Sequence, residues 1–312
     1  MALQARERKP RVGLYSQKDT PKRYIRVNDR KNQRRQIYAK YVVALVSLIG
    51  LCLGLYWKSL YSTSSKMSTF APANQQNSQL TYTVNCSEDY KNEMFEECKP
   101  KSCARVVMDN LVSGDEALHM LSVAKKGLSY GGSTGGASIL DLHSGALSMG
   151  EKFVNIYRVL PEEDGFKEED FAIYRQVKNK IHQAISEYFG IPKSSIYLTK
   201  PTFFSRMNTT AAKTVHDEYW HKHVDKTTYG SFHYTSLLYL TTYGTDFTGG
   251  RFIFVDGETE TAVEPRLGRV SFFTSGSENV HYVEKLESGV RYAITISFTC
   301  DPQMAISDPD VR

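Results

Sequence analysis

Residues 41–57, YVVALVSLIGLCLGLYW, are apolar on every side and carry no charge. A stretch of this kind predicts a helix across a bilayer, although 17 residues are at the short end of the ~20 a span needs. Tyr41, Tyr56 and Trp57 stand at its two ends, where amphipathic rings favour the membrane interface. A signal peptide is the competing reading. It is the weaker one, because 40 residues precede the segment and no small-residue cleavage site follows it. Beyond the segment the pattern changes. Residues 61–84 are rich in Ser, Thr, Asn and Gln, without apolar periodicity, and predict a flexible stem over 58–84.

Helical periodicity begins after Cys103. In SGDEALHMLSVAKKG, Ser113 and Glu116 form a capping box. Leu118, Leu121 and Ala124 mark one face of that helix, and Gly127 is its expected stop. A second helix runs through EEDFAIYRQVKNKIHQAISEYFG. There Phe171, Tyr174, Val177, Ile181, Ile185 and Tyr188 recur at steps of three and four, and Gly190 with Pro192 ends it. The glycine-rich YGGSTGGAS (130–138) lacks a Gly-Lys-Ser/Thr ending and predicts a loop, not a phosphate cradle. From about residue 196 the period shortens to two. SIYLTKPTFFSRM, YTSLLYLTTY, RFIFVD, GRVSFFTS and VRYAITISFT are short β-branched and aromatic runs, which predict a sandwich or jelly roll.

Charge divides the chain in the same places. Residues 1–40 hold 13 Lys/Arg against three acids, and residues 58–312 hold 26 against 31. The overall +5 is therefore a property of one end, and a nucleic-acid interface on the folded part loses its support. The basic end should remain cytoplasmic, placing 58–312 in a lumen or outside the cell. Four cysteines, Cys86, Cys98, Cys103 and Cys300, lie beyond the apolar segment and suit an oxidising compartment. We expect two disulfides, one tying Cys300 to the cluster. Zinc is the rival use, but the spacing is unusual for it and no histidine is near. Asn85-Cys-Ser and Asn208-Thr-Thr are candidate glycosylation sites.

The chemistry concentrates in HKHVDK (221–226). On a strand, His223 and Asp225 would share a face and offer one imidazole and one carboxylate to a common point. His281 is the only histidine after residue 233 and is the candidate third ligand. Two histidines and one carboxylate leave coordination positions open, as non-haem Fe(II) oxygenases require, whereas structural zinc closes its fourth corner. In RYAITISFT, Arg291, Ala293, Thr295, Ser297 and Thr299 alternate with Tyr292, Ile294, Ile296 and Phe298. The polar face with one guanidinium suits a small carboxylate, and Tyr239 could add a hydroxyl. His216 and His221 could serve beside the site, His221 near its mouth. His233 is placed in a loop, His182 beside a helix's apolar face, and His119 and His143 have no constellation around them.

The conjunction over 216–299 resembles the prolyl 4-hydroxylase-like Fe(II)/2-oxoglutarate dioxygenases. It rests on His223-x-Asp225, Tyr239 in LLYL, TGGRFIF (248–254), VEPRLGRVSFF (263–273), His281 and GVRYAITISF (289–298). The resemblance implies an α+β fold: a double-stranded β-helix (jelly roll) core flanked by N-terminal helices and preceded by one transmembrane helix. It implies that His223, Asp225 and His281 hold Fe(II) and are catalytic. Arg291 would bind 2-oxoglutarate, with Tyr239 and Thr295. O₂ is the oxidant, ascorbate is an accompanying cofactor, and succinate and CO₂ are co-products of hydroxylating a prolyl (or lysyl) residue in a lumenal protein or peptide. Trp220 and Arg251 depart from the family pattern and bear on substrate identity. The expected organisation is a basic cytoplasmic tail (1–40), an anchor (41–57), the stem (58–84), a Cys-containing helical support region (85–195), the dioxygenase core (196–300) and a tail (301–312). That is a single-pass type II membrane protein of the endoplasmic reticulum or Golgi, attached through its one N-terminal helix, with no nucleic-acid partner and an oligomeric state left open. The alternative is a non-catalytic metal-binding jelly-roll scaffold of the secretory pathway.

Overall fold

The computed structural model describes residues 22–61 and 66–310, in two units, Met1–Ser64 and Ser65–Arg312. Among its described residues the first contains one helix, Lys22–Tyr61. Its portion Arg30–Trp57 is the one helix among the described residues long and apolar enough to cross a membrane. The expected span lies within it, and the helix also takes in Lys22–Lys40 of the basic segment. The first 21 residues of that segment lie outside the described residues.

The second unit is built on two antiparallel-rich sheets. The larger orders its main strands as Leu80–Val84, Cys103–Met108, Val270–Thr274, Tyr234–Tyr239, Arg291–Thr299, Tyr197–Met207, Ala137–Leu140 and Ala146–Gly150. The smaller orders Lys66–Ala71, Thr259–Val263, Phe252–Asp256 and His281–Val283. From Thr259–Val263 onward the chain passes back and forth between the sheets, through Val270–Thr274, His281–Val283 and Arg291–Thr299, giving the jelly-roll layering that the short strands predict. The five predicted strand runs after residue 196 all form, within a few residues of their expected ends.

Three of the expected domain boundaries need correction. Much of the supposed stem is structured: Lys66–Ala71 pairs in parallel with Thr259–Val263, and Leu80–Val84 pairs with Cys103–Met108. Backbone ladders order this polar segment, so it carries no hydrophobic period to read. The Arg269 guanidinium also binds the carbonyls of Ala71 at 2.8 Å and Gln75 at 2.8 Å. The boundary at 196 dissolves as well. Cys103–Met108 pairs with Val270–Thr274, and Ala137–Leu140 with Tyr197–Met207, so support region and core share one sheet. The C-terminal tail packs too, with the Ile306 N–H donating to the Leu198 carbonyl at 2.9 Å.

The helices cover the larger core cluster. Helix Glu168–Phe189 buries Phe171, Tyr174, Val177, Ile181 and Ile185, as its period predicts. Helix Gly114–Ser129 has the expected capping box, but its buried face is Ala117, Met120, Val123, Ala124 and Leu128. Leu118 is 51 % exposed, so the face is rotated from the one expected. Gly127 does not stop this helix. A Cβ there would lie 2.3 Å from Leu140 Cδ2, so glycine lets the helix approach the sheet. The disulfides are Cys86–Cys103 and Cys98–Cys300, which leaves none of the four for zinc.

Candidate functional site

A smaller cluster of buried residues, including Leu237, Tyr239, Phe252, Phe254, Phe273 and Ala293, lies between the sheets. Beside it is a cavity of about 240 Å³ whose lining includes His223, Asp225, His281, Arg291 and Thr295. The sequence places His223 and Asp225 together because they are two residues apart. Only the fold brings His281. His223 and His281 form an antiparallel bridge, with His223 N donating to the His281 carbonyl at 2.9 Å and His281 N to the His223 carbonyl at 3.0 Å. Asp225 is not on a strand. It opens the short helix Asp225–Tyr229, and its carboxylate still faces both rings.

One potential ligand atom from each of the three lies within 4.8 Å of the others. Asp225 Oδ1 is 3.5 Å from His223 Nε2 and 3.5 Å from His281 Nε2. The rings present these nitrogens because their Nδ1 atoms are engaged elsewhere. His223 Nδ1 donates to the His221 carbonyl at 3.0 Å, and His281 Nδ1 to the Asn279 carbonyl at 2.9 Å. That network selects the tautomer with the Nε2 lone pair directed at the shared point. Thr235 Oγ1 donates to Asp225 Oδ2 at 2.7 Å, leaving Oδ1 toward the imidazoles. Burial disfavours the Asp225 carboxylate, but His281, His223 and Thr235 outweigh it and hold its pKa below the usual range. Burial lowers the pKa of His281. At His223 burial opposes the charged form, and Asp225 with the His221 carbonyl reverses the balance upward. Two neutral imidazoles and one carboxylate oxygen form a donor set that suits a divalent first-row metal.

Arg291 is 1 % exposed, and its Nε and Nη2 have no hydrogen-bond partner among the described residues. Its Nη1 meets only Met207 Sδ at 3.7 Å, and its guanidinium lies 5.6 Å from the Tyr239 ring centre. Burial lowers its pKa. A buried cation with idle donors is costly unless something anionic completes it. A small dicarboxylate fits that demand, with one end for Arg291 and one for the metal centre. Tyr239 is fully buried under this cation, its hydroxyl 3.1 Å from Ser271 Oγ. It touches Arg291 and is not among the cavity-lining residues. Thr295 is on the cavity wall.

The alternation on Arg291–Thr299 places its faces as expected. Ile294, Ile296 and Phe298 enter the larger core, and Arg291 and Thr295 face the cavity. Among the other histidines, His221 is exposed and pairs with Glu218 at 2.5 Å, so it does not reach the site. His233 is buried against Glu93, His143 against Tyr174, and His119 pairs with Asp170. His182 packs on Phe298, 5.0 Å between ring centres, and the His216 side chain lies outside what is described. Asn85 is exposed, and Asn208 turns its side chain onto Thr210 N at 2.9 Å. Several lining residues carry no sequence signal of their own: Ala137, Ser138, Ile139 and the stacked pair Tyr229–Phe232, 4.5 Å apart. Thr235 was legible in principle, being four residues before Tyr239 on the same face of one strand.

The sequence model of the 2OG-Fe(II) oxygenase superfamily matches residues 205–299, which include the triad, Arg291 and Tyr239. A Xenopus tropicalis relative, 2-oxoglutarate and iron-dependent oxygenase domain-containing protein 3, is 56 % identical over 84 % of each chain. Mouse prolyl 3-hydroxylase 1 is 28 % identical over 65 % of this chain and 29 % of its own length. Among solved structures, a Trichoplax adhaerens prolyl hydroxylase bound to a hypoxia inducible factor peptide aligns with TM-score 0.42 at 16 % identity. It covers 62 % of this chain and 83 % of that one.

Proposed function

The chain belongs to the 2OG-Fe(II) oxygenase superfamily and is a dioxygenase, and from that premise we propose that it hydroxylates a prolyl residue of a protein substrate in the secretory pathway. In this reading His223, Asp225 and His281 hold Fe(II), and Arg291 pairs with the distal carboxylate of 2-oxoglutarate. The single observation that carries it is the idle, buried Arg291 guanidinium in the same cavity as the facing triad. When bound, Fe(II) would activate O₂, the oxidant, with 2-oxoglutarate supplying two electrons as it is converted to succinate and CO₂, the substrate C–H supplying the other two, and ascorbate as accompanying reductant.

This chain's own residues do the positioning. Thr235 turns Asp225 so that Oδ1 meets the metal position. The carbonyls of His221 and Asn279 keep both imidazoles in the ligating tautomer. The unpaired Arg291 nitrogens would hold the co-substrate's carboxylate by charge-assisted hydrogen bonds, while Tyr239 packs beneath the guanidinium and Thr295 adds a hydroxyl on the wall. Phe252 stacks on His281 at 4.9 Å and limits water on that side. Prolyl over lysyl rests on the prolyl 3-hydroxylase relative.

The apolar helix and two disulfides fit a membrane protein of the secretory pathway. We assign residues 41–57 as the span, with the basic end cytoplasmic and the catalytic unit in the lumen of the endoplasmic reticulum or Golgi. Glycan addition at Asn85, removed by Asn85→Gln, would support that topology. Glycosidase-insensitive chains expressed in secretory membranes would count against it.

The full chain in detergent, loaded anaerobically with Fe(II) and given 2-oxoglutarate and then O₂, should release succinate, and His223→Ala should not. Bound iron and 2-oxoglutarate without succinate, even with candidate prolyl peptides added, would favour a metal-binding scaffold.

A further inference from the structure

The disulfide-bearing segment around Cys86–Cys103 takes no direct part in the site, yet it touches both turns from which metal ligands emerge. On one side it meets the turn 276–279, which leads into His281. Tyr90 Oη accepts from Gly276 N at 2.8 Å and donates to Glu278 Oε1 at 3.2 Å. Asp89 Oδ2 accepts from Ser277 N at 2.6 Å. A Cβ on Gly276 would sit 2.7 Å from Tyr90 Oη, so glycine is what lets the two strips of chain come this close. This turn ends at Asn279, whose carbonyl sets the His281 tautomer.

On the other side stands Glu93, its side chain 8 % exposed. Its Oε2 accepts from Lys226 Nζ at 2.8 Å and from His233 Nε2 at 2.9 Å. His233 Nδ1 lies 3.1 Å from the Ser231 carbonyl and 3.2 Å from Cys300 N, so the ring is held at both nitrogens, with Nε2 directed at Glu93. Lys226 directly follows Asp225, and its own N–H donates to the Ser275 carbonyl at 2.9 Å. Ser275 in turn donates its N–H to the His233 carbonyl at 3.0 Å, and its hydroxyl lies 2.8 Å from Thr235 Oγ1, the group that orients Asp225. Burial opposes the Glu93 carboxylate, but Lys226 and His233 outweigh it and hold its pKa at about 2.

We propose that segment 86–103 is a brace for the metal centre, in which Tyr90 positions His281 through the 276–279 turn and Glu93 positions Asp225 through Lys226, His233 and Ser275. The proposal rests on the metal-site reading above. Outer groups that orient ligands typically change metal affinity by about 10–100-fold when removed. A merely structural segment would instead change stability alone.

The test uses Co(II) as probe, with affinity from chelator competition, site geometry from the visible absorption bands, and melting of the metal-free chain as control. Glu93→Gln and Tyr90→Phe should each weaken Co(II) binding by about 10-fold and alter the absorption bands. Met120→Ala, a truncation in the larger core, should lower the melting temperature and leave affinity and bands as in the unaltered chain. If Glu93→Gln does not fold, Tyr90→Phe, which loses one hydroxyl, carries the comparison. Wild-type affinity and bands in the brace variants would overturn the proposal, and so would equal loss in Met120→Ala. An unaltered chain that takes up no Co(II) would instead remove the metal reading itself.

Discussion

Three arginines among the described residues are almost completely buried, and their surroundings differ. Arg269 gives two hydrogen bonds to Asp109, at 2.6 and 3.0 Å, and others to carbonyls of Ala71, Glu264 and Gln75 at 2.8 Å each. Arg105 grips Asp256 at 2.7 and 2.6 Å, binds Asn279 Oδ1 at 2.7 Å and lies 4.3 Å over the Phe254 ring. Arg291 has a sulfur atom, a ring and two idle nitrogens. Where the chain itself completes a buried cation, the cation organises the fold. Arg269 gathers the polar segment after Lys66–Ala71, and Arg105 ties strand Cys103–Met108 to the turn before His281. Where the chain leaves a cation incomplete, it leaves room for a ligand.

The contrast is sharpest in what each arginine should cost to remove. Arg269→Ala strands Asp109 in the core and should destabilise by roughly 3–5 kcal/mol, read as a lower denaturation midpoint. An unchanged midpoint would show that the pair is replaceable and the comparison empty. Next in size is acid sensitivity of the brace. The Glu93 carboxyl moves from its ordinary 4.5 to about 2 on folding, worth on the order of 3 kcal/mol. A pKa depressed by folding adds stability that is complete above 4.5 and is lost as pH falls toward 2. Glu93→Gln should therefore flatten the pH dependence of melting within that window and leave its slope above pH 5 unchanged.

Arg291→Gln should invert the Arg269 result. Metal binding and melting temperature should hold, or melting should rise, because an uncompensated buried charge is gone. The 2-oxoglutarate needed for half-maximal succinate should increase by about 10–100-fold, the worth of one charge-assisted contact of ~1.5–3 kcal/mol. A large fall in melting temperature would place Arg291 with the structural pair. The smallest effect is expected from Tyr239→Phe. It removes a hydroxyl that meets Ser271, not the cavity, and should cost about 1 kcal/mol of stability with a modest change in 2-oxoglutarate requirement.

Much of this was legible because the relevant patterns are local. The step of three and four in Phe171–Ile185 reflects one helix face, and the alternation in Arg291–Thr299 reflects two sheet faces, so each can be read without the rest of the chain. The buried strand Cys103–Met108 and the polar strand Lys66–Ala71 were not legible. The first has five of six residues fully buried and no alternation, and the second is ordered by its partner Thr259–Val263, nearly 200 residues away. The rotated face of Gly114–Ser129 has a similar origin. Leu118 is apolar enough for a core, but Gly127 and Ala117 are small enough to let the helix sit close, and packing chose the small side.

The sequence by itself determined the apolar segment, the helix and strand periods, the His223-x-Asp225 pair and the polar face that carries Arg291, because each depends on neighbours within a few positions. Tertiary structure alone decided how His281 is bridged to His223, that Thr235 turns Asp225, that Arg269 and Arg105 are satisfied and Arg291 is not, and that Glu93 reaches across to Lys226 and His233. Those outcomes are pairings between groups from 10 to almost 200 residues apart. Whether a buried polar group is completed depends on what the fold places within about 3 Å of it, and no spacing along the chain contains that distance.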